Sequence, residues 1–349
     1  RLRGMFQYHA AATGRWGGRK VQLHNLPRPT LKQALIDAAF EYIDDPDMME
    51  LMAGTPMRCV PSMLRGMLTA APGHDLLAAD FSAIEARVLA WLAGQESVLD
   101  IFRTTGKVYE HAAAGIYRVP MDEVTNDQRQ IGKVAVLALG YQGGVGAFQS
   151  MAANYGVKVD DERADAIKNG WREANPLIVS YWYDLERAAQ SAVAKEGGIF
   201  VAGAPGRQIK FRVRGSFLWA QLPSRRCLCY PYPSFKMKTM WWGEEKEVLA
   251  YKGVDSTTRR WSDQYTYGGS LAENVTQAVA RDLLAEAMLR VEAAGYPVVM
   301  HVHDEVVSEV PEGFGDLKAF ESLCAETPAW ANGLPVTAEG WRGRRYRKG

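Results

Sequence analysis

The sequence is poor in the features that mark specialised protein classes. Four cysteines (Cys59, Cys227, Cys229 and Cys324) in 349 residues are too few and too scattered for a disulfide framework. A reducing, cytoplasmic setting fits that count. No uncharged apolar run approaches the roughly 18 residues of a membrane span, so no membrane partner is expected. Arg1-Leu2-Arg3 offers neither an initiator Met nor the apolar core of a signal peptide, which points to a fragment or a processed piece. Internal repeats and low-complexity linkers are also missing. So is a net charge, since 41 Lys/Arg face 40 Asp/Glu for a total of +1. With 47% hydrophobic and 23% charged residues, the composition is that of an ordinary soluble globular protein.

The near-zero charge hides an uneven distribution. Residues 206–260 carry 12 Lys/Arg against 4 Asp/Glu, and residues 341–349 carry five Lys/Arg and no acid, which leaves −12 for the remainder. Two basic stretches of this kind suit a polyanionic partner, or else a solvated surface. The acidic remainder has room for a carboxylate cluster that holds metal.

Residues 1–30, rich in Gly, Arg and Pro, read as irregular, and Leu31–Tyr42 as a short helix. Asp75–Asp80 is a short apolar run after Pro72-Gly73 and reads as a buried strand. Ser82–Leu92 follows at helical spacing, with Ile84, Val88 and Trp91 on one face. Arg129–Tyr141 reads as a helix ending at Gly143-Gly144, and Asp160–Gly197 as helix interrupted near Pro176. Residues 198–268 change character to turns and alternating strands such as Phe211–Arg214 and Cys227–Tyr230. There Cys227-x-Cys229 reads as two thiols on alternate strand residues rather than as a metal pair. Ser270–Ala294 reads as a long helix, and Val298–Val310 as strand, tight turn and strand around His303-Asp304-Glu305.

Asp80 and Asp304 thus sit at the mouths of buried strands far apart in sequence. They converge if those strands are neighbours in one sheet. Paired carboxylates of this kind suit two Mg²⁺ ions and an in-line phosphoryl displacement. Alternatively, Asp80 is a helix-entry acid and Asp304 a turn acid. Glu85 has two readings: Ser82-x-x-Glu85 is a capping box, and a carboxylate there could also line a nucleotide pocket below the sugar. Arg129, Lys133, Leu137 and Tyr141 recur every four residues, cationic at one end and apolar at the other. That order suits a nucleoside triphosphate, or a helix with one solvated and one packed end.

Together these segments resemble the three signature motifs of family A DNA polymerases, the polymerase I type. Asp80-Phe81-Ser82-Ala83-Ile84-Glu85-Ala86-Arg87 resembles motif A, Arg129-x3-Lys133-x7-Tyr141 motif B, and His303-Asp304-Glu305 motif C. Thr13-Gly14-Arg15 followed by Asn25-Leu26-Pro27 resembles the family's segment beside the primer–template. The resemblance runs over nearly the whole chain.

It implies an α+β, right-hand polymerase fold. An antiparallel palm would comprise 1–105 and 269–349. Helical fingers would span 106–268, with a β-rich insertion at about 198–268. It implies two Mg²⁺ ions, with Mn²⁺ as a substitute, held by Asp80, Asp304 and the Phe81 carbonyl. Glu305 would support the site near the primer end. Glu85 would be the gate against ribonucleotides. Arg129 and Lys133 would hold the triphosphate, with Lys133 protonating the pyrophosphate, and Leu137 and Tyr141 would shape the insertion site. Arg15, Asn25, Gln277 and His303 would meet the primer–template DNA. Minor-groove acceptors are nearly the same for every base pair, so such contacts check pair shape without reading sequence.

There are departures. Leu137 stands where the family often has an aromatic residue, and Gln142 where Gly is common. The large β-rich segment resembles phage-type members, which would place the protein in a host cytoplasm. Thumb and exonuclease segments are not recognisable, so a separate polypeptide or a missing N-terminal region is expected to supply them. Two other readings stand beside an active DNA polymerase. A single-subunit RNA polymerase is disfavoured by Glu85, and a non-catalytic primer–template subunit is disfavoured by the presence of both aspartates.

Overall fold

The structure, a computed structural model, describes residues 2–240, 243–255 and 257–347. Lys348 and Gly349 of the basic C-terminal stretch, and Arg1, lie outside the described residues.

The chain opens with two-residue strands β1 (Phe6–Gln7) and β2 (Gly17–Gly18) and a 3-10 turn over Leu23–Asn25. Helices α1 (Gln33–Glu41), α2 (Pro46–Met52) and α3 (Pro56–Met63) follow. They share a small core of Leu31, Ile36, Met49, Cys59 and Met63. Strand β3 (His74–Phe81) comes next. Seven helices then form the middle of the chain. They are α4 (Ile84–Ala93), α5 (Glu96–Thr104), α6 (Val108–Tyr117), α7 (Asn126–Leu139), α8 (Val145–Asn154), α9 (Asp161–Ala174) and α10 (Pro176–Ala194). Pro176 starts α10 at the position where a missing N–H is harmless.

Strands β4 (Phe200–Ala202), β5 (Ile209–Arg214), β6 (Phe217–Gln221) and β7 (Cys227–Pro231) make one antiparallel sheet in chain order. Strands β8 (Ser234–Thr239), β9 (Glu245–Val254) and β10 (Trp261–Tyr265) make another. Helix α11 (Gly268–Ala293) returns through the core. The chain ends with β11 (Val298–Val302), β12 (Glu305–Pro311), α12 (Leu317–Ala325) and β13 (Ala338–Gly343). Among the described residues no helix is long and apolar enough to cross a membrane.

The sheet that positions the site has the order β11-β12-β3-β13, antiparallel throughout. Its two faces explain why Leu76-Leu77-Ala78-Ala79 lacks a polar alternation. Leu77, Ala79 and Phe81, with Val306 and Val310, face the main core shared with α11 and α12. Leu76, Ala78, Val307 and Trp341 face a second core with Met5, Leu23 and Tyr346. Strand β13 passes so close to β3 that a Cβ on Gly340 would lie 2.4 Å from the Ala78 carbonyl oxygen. Only glycine fits there.

Most expected elements are present, with four differences. Helix α7 begins at Asn126, ahead of the expected Arg129, because Thr125 and Gln128 form a capping box. It ends at Leu139, so Tyr141 lies just beyond it. The capping box expected at Ser82-x-x-Glu85 does not form. Helix α4 starts after Ala83, which is left-handed (φ 49°), and no side chain caps it. An N-cap residue is normally extended, so this turn takes Ser82 out of the capping position. Finally, the basic stretch after 340 is built into the fold: Arg342 Nε meets Asp75 at 2.8 Å, and Arg345 packs over the Phe40 ring.

Candidate nucleotidyl-transfer site

The two distant acids meet. Register pairs Glu305 with Asp80 across β12 and β3, and the Phe81 N–H donates to the Asp304 carbonyl at 3.1 Å. Directly paired antiparallel residues have Cα atoms about 4.5–5.5 Å apart, so Asp80 and the Asp304 turn are immediate neighbours. Both are half-buried at the open end of the sheet. The turn holds its shape through His303. This residue is left-handed (φ 56°), its Nε2 lies 3.0 Å from the His24 carbonyl, and its ring stacks on His24 at 5.3 Å. A non-glycine residue adopts such a backbone only where its surroundings enforce it.

Glu305 lies deeper than its neighbours. It is buried and accepts from the Tyr346 hydroxyl at 2.6 Å, which in turn accepts from Arg65 at 3.2 Å. Arg65 also donates to the Leu26 and Pro27 carbonyls. The hairpin is thereby tied to the N-terminal segment. Burial, then the charge of Glu305, pushes the Tyr346 phenol well above its ordinary range, so it stays a donor.

The donor set suits magnesium. Half-buried Asp80 and Asp304 and the nearby Phe81 carbonyl carry hard oxygen atoms of the kind magnesium takes. Among the described residues no three or more His, Cys, Asp or Glu side chains form a metal-holding group. A closed protein cage is therefore not built here. Magnesium usually takes one or two carboxylates and completes its shell with water and substrate phosphate, so two carboxylates are a sufficient protein share.

Glu85 is held by a network. Tyr141 donates to its Oε2 at 3.1 Å, and Arg15 approaches its Oε1 at 3.5 Å. The Tyr141 phenol titrates well above its ordinary range because it is buried and sits beside the Glu85 charge. Glu273, which accepts from Gln277 at 3.1 Å, has its pKa raised by burial and then by Glu85. Arg15, Glu85, Gln277, His303 and Asp304 all line one small pocket. Asn25 does not. It is exposed and donates to Gln22 at 2.6 Å.

The α7 face is only partly as expected. Arg129 is exposed and paired with Glu110 at 2.8 Å. Lys133 lies 5.0 Å above the Tyr155 ring. Leu137 is 40% exposed, and with Tyr141 and Glu85 it opens onto an apolar cavity of about 230 Å³ between α4 and α9.

The family model of DNA polymerase family A matches residues 1–197. The chain belongs to DNA polymerase family A. The DNA polymerase of Bacillus phage SP02 is 41% identical over 354 aligned residues, covering 100% of this chain and 53% of that protein. DNA polymerase I of Pseudomonas aeruginosa is 30% identical over 209 residues, which is 60% of this chain and 19% of the relative. The POL domain of Pol1 from M. smegmatis, in complex with DNA primer-template and dNTP, shares the fold. It has a TM-score of 0.56 at 19% identity and covers 97% of this chain and 47% of that one. The fold is therefore that of a polymerase domain, α+β with antiparallel sheets. The chain spans about half the length of the phage relative and a smaller share of the bacterial one.

Within this family A chain, one departure from the motif pattern and one residue that matches it have visible structural consequences. Gln142, where glycine is common, is left-handed (φ 62°), and its side-chain oxygen accepts from the Gly269 N–H at 2.9 Å. That bond caps the start of α11. A Cβ on Gly269 would lie 2.3 Å from the Tyr141 carbonyl oxygen, so the close approach of these segments requires glycine there. Arg87, the last motif A residue, serves the fold. It is buried, and it donates to the Ser82 and Pro335 carbonyls and to Thr337 Oγ1. Burial lowers its pKa to about 10.

Among the pocket residues that sequence reasoning missed, three are titratable: His24, His301 and Arg281. Arg281 donates to the Gly14 carbonyl at 3.0 Å and stacks on Trp16 at 4.2 Å. It lies four residues after Gln277, hence on the same face of α11, and that spacing was the available signal. His301 lies in β11, two residues before the His303 turn. Burial, reinforced by His24, Arg281 and His303, drives its pKa down to about 4.

Proposed function

We propose that this chain is the catalytic portion of a template-directed DNA polymerase, joining dNTPs to a primer 3′-hydroxyl. The observation that carries the reading is the register that sets Asp80 beside the Asp304 turn, in a member of family A. Residues 1–105 and 269–349 would form the palm. Residues 106–268 would form the fingers, including the β-rich insertion.

Asp80, Asp304 and the Phe81 carbonyl would hold two Mg²⁺ ions, with Mn²⁺ as a substitute. When bound, these ions activate the 3′-hydroxyl and neutralise the departing pyrophosphate. The side chains do the positioning. Glu305, fixed by Tyr346, steadies the hairpin that presents Asp304 near the primer end. Arg129 exchanges Glu110 for triphosphate oxygens, and Lys133 joins it and gives a proton to the leaving pyrophosphate. Leu137 and Tyr141 bound the space for base and sugar. Glu85, held by Tyr141 and Arg15, occupies the room a 2′-hydroxyl would need. Arg15, Gln277 and His303 face the pocket from the side where a minor groove would lie, and exposed Asn25, outside that pocket, would meet the DNA separately.

Primer extension with dNTPs, then rNTPs, with and without Mg²⁺, tests the reading. Extension that needs Mg²⁺ and prefers dNTPs is expected. Metal-independent extension, or equal use of rNTPs, would overturn the roles given to the aspartates or to Glu85.

A further inference from the structure

The β4-β5-β6-β7 sheet has two unlike faces. One packs against α10 through Ile209, Phe211, Leu218 and Ala220, all buried. The other is open and presents Lys210, Arg212 and Arg214 at alternate positions of β5, each exposed. Register sets Arg212 opposite Trp219 and Arg214 opposite Phe217. The Phe217 and Trp219 rings lie 5.7 Å apart, and the Tyr232 ring lies 6.3 Å from Phe217. Phe217 is 36% exposed and Tyr232 58%. Lys210, Arg212, Arg214, Phe217 and Trp219 line a groove of about 740 Å³, with Tyr232 beside it. Among the described residues none of the three cations has an ion-pair partner. Residues 206–240 contain eight Lys/Arg and no acid.

The near end of this groove is bolted to the candidate site. Between β6 and β7, Arg226 donates to Asp282 at 2.7 Å and to the Thr13 and Ala278 carbonyls at 2.9 Å each. The same stretch of α11 supplies Ala280 and Arg281 to the pocket beside Asp304.

We propose that this open face binds single-stranded template DNA not yet copied, an inference that rests on the polymerase reading above. Cations at regular spacing meet phosphates, and exposed rings beside them meet base faces. A duplex hides its base faces inside the stack and has nothing to offer Trp219, Phe217 and Tyr232. An unpaired strand offers both partners. From Lys210 to Arg214 the strand spans about 14 Å, four steps of about 3.4 Å. The groove therefore engages a short stretch of backbone, close to where a template would leave the pocket.

Fluorescence anisotropy with the whole chain tests this, using three labelled DNAs. They are a primer–template with a minimal 5′ overhang, the same duplex with an overhang of about 12 nucleotides, and a free oligonucleotide of about that length. The unaltered chain is expected to prefer the long overhang. In the triple variant Lys210→Ala/Arg212→Ala/Arg214→Ala that preference disappears. Its log–log salt slope on the oligonucleotide falls by about 2, at about 0.7 for each phosphate no longer neutralised. Trp219→Ala weakens oligonucleotide binding by about 5-fold or more, the lower end of base–aromatic stacking, and Trp219→Phe keeps most of it. Affinity for the minimal overhang, nucleotide incorporation on it and thermal melting stay unchanged.

A triple variant with unaltered overhang preference and slope would overturn the proposal. So would an equal loss on the minimal overhang, which would show that the face grips duplex, or tighter binding of an RNA oligonucleotide of the same sequence. A chain that extends no primer yet binds the oligonucleotide through these residues would overturn the polymerase reading and leave the surface standing.

Discussion

The sheet carrying Asp80 and the sheet carrying Arg212 are both antiparallel and four-stranded, but they meet solvent differently. The first is covered on both faces, and Asp80 and Asp304 emerge at one end of it, where register and the His303 turn fix them. The second is covered on one face and displays its cations along the whole of the other. A covered sheet delivers a few groups to a defined point, as chemistry on a phosphate requires. A half-covered sheet delivers many groups over an area, as binding along an extended strand requires.

The largest expected effect falls on the covered sheet. Asp80→Ala or Asp304→Ala should reduce primer extension to background while DNA affinity, measured by anisotropy, changes little. Near-normal extension would remove the metal-ligand assignment. Next, Glu85→Ala should narrow the dNTP over rNTP preference by about 10- to 200-fold, the scale of one misfitted group in a pocket. Single-turnover incorporation of paired dNTP and rNTP would read it. Tyr346→Phe removes the 2.6 Å hydroxyl donor from buried Glu305 and should destabilise the protein by about 1–3 kcal/mol, seen in denaturant melts.

A smaller effect concerns pH. His301 titrates at about 4 when folded and near the ordinary 6.5 when unfolded. The unfolded chain therefore binds a proton first as pH falls. The stability held by neutral His301 is complete above pH 6.5 and is lost between 6.5 and 4. His301→Gln should flatten that part of the stability–pH curve, and an unchanged curve would show that the imidazole is not the titrating group. The smallest effect belongs to the half-covered sheet: Arg212→Ala should shift stability by no more than about 0.5 kcal/mol. A loss comparable to that of Tyr346→Phe would erase the contrast between the two sheets.

Much of this arrangement was legible in the sequence, for identifiable reasons. The apolar runs around Asp80 and Asp304 are short, bounded by turn residues and buried on both faces, so they read as strands wherever they pair. Long helices such as α11 announce themselves by length and by the closing Gly295. Other parts resisted. Helices α2 and α3 drew no assignment from the sequence: each is short, and Pro61 inside α3 interrupts the helical signal that Pro46 and Pro56 open. Strand β13 carries Gly340, Gly343 and Arg342 and gave no strand signal; its basic residues suited a polyanionic partner or a solvated surface, whereas Arg342 pairs with Asp75 and the strand pairs with β3. The Ser82-x-x-Glu85 pattern suggested a cap, but a left-handed Ala83 reassigned both residues. The pocket residues His24, His301 and Arg281 come from three separate segments, and only the fold brings them together.

Each of the two aspartates has a left-handed, non-glycine residue nearby: Ala83 three places after Asp80, and His303 just before Asp304. Such backbones tend to relax when their supports are removed. The supports differ. Ala83 is clamped by the sheet-to-helix turn and Arg87, whereas His303 leans on the aromatic face and carbonyl of His24, a residue on the irregular N-terminal segment. The aim of one carboxylate is thus set by the rigid interior, and the aim of the other by a loop on the side where a duplex would arrive. Disturbing that loop would misdirect Asp304 while leaving Asp80 in place.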